Sequence, residues 1–129
     1  MSLASPDDFA RAFADAWGTR DARAIAALFA EDADFLTLTG AWAEGRDAIA
    51  ETLSGELLGA FARARLVTGR GKRRSLAAGA AQVMQRYVLS GIVGADGRDA
   101  GRIGAILFAT LIECDGGWQV VAAQFAAGT

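Results

Sequence analysis

Apolar residues recur at two periods along this chain, and the change of period divides it into a helical first half and a stranded second half. Phe9, Phe13 and Trp17, with Ala10 and Ala16, form one stripe at helical spacing. Ser5-Pro6-Asp7-Asp8 stands just before them. Ser5 suits a helix cap, Pro6 suits the first helical position, and the two acids favour the positive end of the helix dipole. Gly18 ends this helix, and Asp21 caps a second, short one whose inner face is Ile25, Leu28 and Phe29. In Ala33-Asp34-Phe35-Leu36-Thr37-Leu38-Thr39 the period shortens to two. Phe35, Thr37 and Thr39 share one face of this strand and Asp34 takes the other. Gly40 ends it, and Trp42 falls in the loop that follows. Gly45-Arg46-Asp47 then opens a third helix on Ile49, Leu53 and Leu57.

From Arg63 onward the pattern predicts only strands. Arg63 to Leu76 is polar and basic, with Gly69 and Gly71 marking a bulge or bend. Gln82 to Val93 follows, then the hairpin signal Gly94-Ala95-Asp96-Gly97-Arg98. Ile103 to Cys114 is almost wholly apolar, as expected of a central strand covered on both faces. Asp115-Gly116-Gly117 signals a second hairpin, and Trp118 to Phe125 is the last strand. Short hairpins require antiparallel pairing, which argues against a doubly wound α/β sheet. The expectation is one α+β domain over residues 1–129, a curved antiparallel sheet wrapped around three N-terminal helices.

Composition narrows the chemistry. A chain of 129 residues can stabilise one domain without metals or disulfides. Its hydrophobic share of 53% is inflated by alanine. No uninterrupted apolar run reaches the ~18 residues of a membrane span. The first residues lack the charged and apolar regions of a signal peptide, so a cytoplasmic protein is expected. Cys114, the single cysteine, cannot form an internal disulfide, and in its apolar strand it should act as a small hydrophobe. The chain has no histidine. That removes histidine-based triads, general bases and metal sites, so any reaction would rest on carboxylates, Lys, Arg, tyrosine or water. Neither metal nor cofactor is expected. The net charge of −2 hides a segregation: −7 over residues 1–56, +7 over 57–95 and −2 over 96–129.

Four stretches carry a resemblance. They are Phe13-Ala14-Asp15-Ala16-Trp17, Ala27 to Phe35, Gly45-Arg46-Asp47-Ala48-Ile49, and Gly117-Trp118-Gln119-Val120-Val121-Ala122. In this order they resemble the nuclear transport factor 2-like superfamily, and within it the SnoaL-like proteins of the SgcJ/EcaC group. The resemblance implies a cone-shaped, cystatin-like roll with a pocket at its open end, and a homodimer packed through the outer face of the sheet. It also implies a range of roles, from isomerases, dehydratases, cyclases and epoxide hydrolases to proteins that only bind ligands or assemble partners. Relatives in the group often carry His-Asn after the last Trp strand. Here those positions are Gln124 and Phe125, which removes the proton-transfer option and leaves hydrogen bonding.

The candidate ligand pocket is therefore Phe13, Trp17, Phe35, Thr37, Trp42, Tyr87 and Gln124, with catalytic residues unassigned. Each has a plainer reading. Strand alternation sends Trp118, Val120, Ala122 and Gln124 to one side, so Gln124 is either a pocket residue or a polar strand end. Tyr87 is either a donor to a ligand or a core tyrosine with a backbone partner. Trp17 suits plain core as well as an aromatic wall, and Trp42 suits a pocket rim. Arg46-Asp47 is either a buried pair that positions water or ordinary helix N-terminal chemistry. Asp34 points away from Phe35, and Glu113 lies beside a hairpin, so neither is a clear buried base.

The basic cluster Arg63, Arg65, Arg70, Lys72, Arg73 and Arg74 lacks interleaved aromatics, and Gly71-Lys72-Arg73 is no phosphate loop. It suits an edge strand protected by charge, or attraction to the acidic half of the chain. Nucleic acid and membrane are not expected partners. The leading expectation is a domain binding a small hydrophobic molecule. Two rivals are a cofactor-independent enzyme on a hydrophobic or polyketide-like substrate and a protein-assembly module using the basic strands.

Overall fold

The computed structural model describes residues 3–128. Ser5 accepts a hydrogen bond at 3.2 Å from the Asp7 amide, and a short 3-10 turn over Pro6–Asp8 leads into helix α1, Phe9–Gly18. The Asp21 carboxylate accepts from the amides of Arg23 and Ala24 and so starts helix α2, Ala22–Ala26. Strands β1, Phe29–Leu36, and β2, Trp42–Glu44, come next, then helix α3, Arg46–Leu58. Four long strands complete the chain: β3, Arg65–Ala77, β4, Ala80–Ser90, β5, Ile103–Cys114, and β6, Gly117–Gly128. No helix among the described residues is long and apolar enough to cross a membrane.

The strands form one sheet in the order β2-β1-β6-β5-β4-β3. Neighbours are antiparallel except β1 and β6, which run parallel. The helices cover one face only. On β4 the alternation is regular, with Ala81, Val83, Gln85, Tyr87 and Leu89 buried inward. On β5, Ala105, Leu107, Ala109 and Leu111 point inward, while Ile106 and Phe108 are half-buried and Ile112 is exposed on the outer face. The apolar strand expected to be covered on both faces is thus covered by its own chain on one. Cys114 ends β5 in solvent instead of packing as a small hydrophobe, because the turn to β6 begins there.

Several boundaries differ from the periodicity. Phe29 belongs to β1, not to the second helix, because it pairs with Val120 and its carbonyl oxygen accepts twice from the Arg46 guanidinium, at 2.8 and 3.0 Å. Thr37 and Thr39 leave the strand for a tight turn into β2, where Trp42 sits on a strand and not in a loop. β6 carries a bulge: Leu111 pairs with Val120 and Thr110 with Ala122, leaving Val121 as the extra residue. One extra residue reverses every later side chain. Val120 therefore points inward, Ala122 and Gln124 outward, and Ala123 and Phe125 inward, which corrects the simple alternation expected from Trp118 to Gln124.

β3 is the sheet's edge and is exposed along almost its whole length. Its glycines do mark an irregularity. Register shifts between Thr68 and Gly71, and the Gln85 amide donates to the carbonyls of Gly69 and Arg70. Arg73 reaches the acidic start of the chain, 3.2 Å from Asp7.

Gly91 follows β4 with φ +79°, and a Cβ there would overlap the Arg63 carbonyl oxygen. Gly97 has φ +77° with open space around it. Gly91→Ala is expected to lower unfolding free energy by at least about 2 kcal/mol, against about 1 kcal/mol for Gly97→Ala. Urea denaturation of the two variants reads the difference.

Candidate functional site

Inside the cone, the helical stripe meets the sheet's inner aromatics. Phe13 lies at the centre, with ring centroids 5.7 Å from Phe9, 6.2 Å from Trp17, 6.3 Å from Phe35, 6.3 Å from Tyr87 and 5.9 Å from Phe125. Tilted and edge-on pairs at such separations are favourable contacts. Trp17 donates its indole N–H to the Ala64 carbonyl at 3.1 Å, and the Tyr87 hydroxyl donates to the Ala10 carbonyl at 2.7 Å. Burial pushes the Tyr87 phenol well above the usual phenol range. Four of the seven candidates, Phe13, Trp17, Phe35 and Tyr87, thus meet as a packed aromatic core. Thr37 is buried at its margin, where it and Thr39 each donate to Glu56 Oε2 at 2.7 Å. The Glu56–Thr37–Thr39 cluster has no signal in local sequence, since a helix side chain reaches back to a turn 17 and 19 residues earlier.

The other two candidates lie on the opposite side of the sheet. Trp42 is 68% exposed and donates its indole N–H to Asp34 Oδ1 at 3.1 Å. Gln124 is turned outward by the bulge. Together they line an outer groove of about 440 Å³. Trp42, Leu36 and Asp34 make one flank from β2 and β1, and Gln82, Phe108 and Thr110 the other from β4 and β5. Ala122 and Gln124 of β6 form the floor between them, and the small side chain of Ala122 is what leaves the space. Sequence reasoning passed over Leu36, Gln82, Phe108, Thr110 and Ala122. Their signal is the outward phase of each strand, readable only once the bulge and the strand order are known. Arg46 and Asp47 do not pair; Arg46 holds the Phe29 carbonyl, and Asp47 stands in the first turn of α3.

A six-stranded curved sheet over three helices defines the class. The SnoaL-like domain pattern matches residues 10–117, and the chain belongs to that family. Among solved structures, it is similar to an uncharacterised protein with a cystatin-like fold from Caulobacter vibrioides, at 22% identity over 95% of this chain and 87% of that one, TM-score 0.86. It is also similar to an NTF2-like protein with a cystatin-like fold from Novosphingobium aromaticivorans, at 21% identity over 92% and 77%, TM-score 0.76. A third, from the same organism and proposed to be a scytalone dehydratase, shares 19% identity over 95% and 81%, TM-score 0.79. At these identities the likeness is one of fold. No curated protein matches the chain.

The phenol of Tyr87 is held neutral by the fold, so ionisation favours the unfolded chain. Its stabilisation is whole below about pH 10, the ordinary phenol value, and is lost as pH rises beyond it. Tyr87→Phe should cost about 1 kcal/mol at neutral pH and flatten the alkaline loss of stability relative to the wild type. Denaturation curves of both proteins on either side of the phenol's ordinary value measure the two effects.

Proposed function

We propose that the protein binds a small, largely apolar molecule in the outer groove, needing no metal or cofactor. The groove itself carries this reading. An apolar surface of Leu36, Trp42, Phe108 and Ala122 is ringed by a few hydrogen-bonding groups, Asp34, Gln82, Thr110 and Gln124, which is the composition of small-molecule sites. Trp42 offers a face for a flat ligand, and Asp34 and Gln124 offer acceptors for a hydroxyl or amide. The aromatic core accounts for the inner candidates without a ligand, so the binding residues among the original seven are Trp42 and Gln124. The same reading takes the chain into the SgcJ/EcaC group on the motifs around Trp17 and Trp118, and into the cytoplasm.

A second reading, a cofactor-independent isomerase, cyclase or hydrolase on a hydrophobic substrate, is favoured by one observation. Asp34 places a carboxylate on the groove wall with one oxygen fixed by the Trp42 indole, an oriented acceptor that a proton-transfer step would use.

The neutral fluorescent probe N-phenyl-1-naphthylamine tests the binding reading. Saturable binding at one probe per chain is expected, lost in Ala122→Phe, which fills the groove from an exposed position and should leave thermal unfolding unchanged. Binding that is indifferent to Ala122→Phe would overturn the assignment.

A further inference from the structure

The outer groove is charged on one flank only. Among the described residues that line it, Asp34 alone carries a charge. Its Oδ1 is fixed by the Trp42 indole N–H at 3.1 Å, and its Oδ2 accepts no hydrogen bond from a described residue. The one ion pair among the described residues is Arg73 with Asp7, so Asp34 faces the groove without a basic partner. Glu44 pairs with Asp34 across β1 and β2 and is exposed on the same face. It adds a second negative charge to that flank.

The bases of this face stand too far away to neutralise it. Arg74 shares the row of Asp34 through Ala122, Thr110 and Gln82. It is four strand spacings off, roughly 19 Å along the sheet. Arg86 is three strands over from Asp34 and further along β4 than Gln82, at roughly 20 Å. Both separations exceed the ~8 Å screening length at physiological salt. The opposite flank is apolar at Phe108, which shares a row with Gln124 and Leu36. Leu36 and Phe108 are two strand spacings apart, roughly 10 Å, which leaves room for a flat ring over the small Ala122.

Charge decides between ligands of that shape. A body laid over the groove strips water from Asp34 Oδ2, and a desolvated carboxylate oxygen without a partner is costly. An anion adds repulsion that no nearby base offsets. A hydroxyl returns one hydrogen bond from a neutral donor. An ammonium returns one between full charges, which is stronger, and the indole face of Trp42 beside it attracts the same cation.

We propose that the groove selects a cation, a primary or secondary ammonium carried on a compact aromatic body. Its N–H donates to Asp34 Oδ2, its charge lies against Trp42, and its body crosses Ala122 toward Phe108. The proposal names the ligand class of the groove and rests on the binding reading above.

Calorimetric titration with three naphthalenes of one shape tests it. The cationic 1-naphthylmethylamine should bind the wild type about tenfold more tightly than the neutral 1-naphthylmethanol. The anionic 1-naphthylacetate should bind more weakly than either. The amine's advantage should shrink as salt is raised from about 0.05 to 0.5 M. Asp34→Asn keeps an oxygen for the Trp42 indole and removes the charge. In that variant the amine should fall about tenfold, to the level of the alcohol, while the alcohol binds as before, a split that damage to the groove would not give. Equal affinity of amine and alcohol for the wild type, or an amine preference that survives Asp34→Asn or Ala122→Phe, would overturn the proposal. If the alcohol alone binds saturably and is lost in Ala122→Phe, the groove reading stands and the cation is wrong. If none of the three binds saturably, both fall.

Discussion

The contact between Phe13 and the inner face of the sheet is the constraint on which the rest depends. One ring on α1 touches Phe9 and Trp17 on its own helix, Phe35 on β1, Tyr87 on β4 and Phe125 on β6. It therefore ties the first helix to three strands across the inner face of the sheet. Each fully buried ring of this kind contributes roughly 2–3 kcal/mol of transfer free energy. The polar ends of the largest partners are anchored in backbone carbonyls, Trp17 on Ala64 and Tyr87 on Ala10. Close packing makes such a cluster sensitive to small changes of volume. Its cohesion is what holds the cone closed around the helices.

Because the inner candidates are committed to packing, the remaining two, Trp42 and Gln124, meet at a groove on the outer face. Trp42, Asp34 and Gln124 gather there, around a groove that exists because Ala122 is small. The basic strand β3 borders the same face. Its positive charge has two settings: Arg73 points inward to Asp7 at the start of the chain, while Lys72 and Arg74 share the outer face with the groove. In the sheet, Asp34 on β1 and Glu44 on β2 stand toward the edge opposite the basic strand β3.

What the sequence revealed depended on how local the determining interaction was. α1, α2 and α3 were legible because stripes such as Phe9-Phe13-Trp17 and caps such as Ser5 and Asp21 act within one or two turns. The edge character of β3 was legible from its charge and its glycines. β2 was not, since three residues carry no period. The start of β1 was not, since Phe29 is recruited by Val120 and Arg46, both distant in sequence. The candidate site separated in the same way. Phe13, Trp17, Phe35 and Tyr87, expected as pocket lining, pack as core instead, because periodicity alone cannot distinguish a cavity wall from its filling.

By itself the sequence determined the class: helices first, then antiparallel strands joined by short hairpins, a domain without histidine chemistry, and charge divided between its halves. Those properties follow from side-chain period, turn chemistry and composition, which act locally. Tertiary structure alone decided which face of each strand is functional. The bulge at Val121 adds one residue between paired positions and so turns Gln124 from the inner side to the outer. A sheet's side chains alternate with period two, so a single unpaired residue, fixed by the pairing of β6 with β5, exchanges core and surface for everything beyond it.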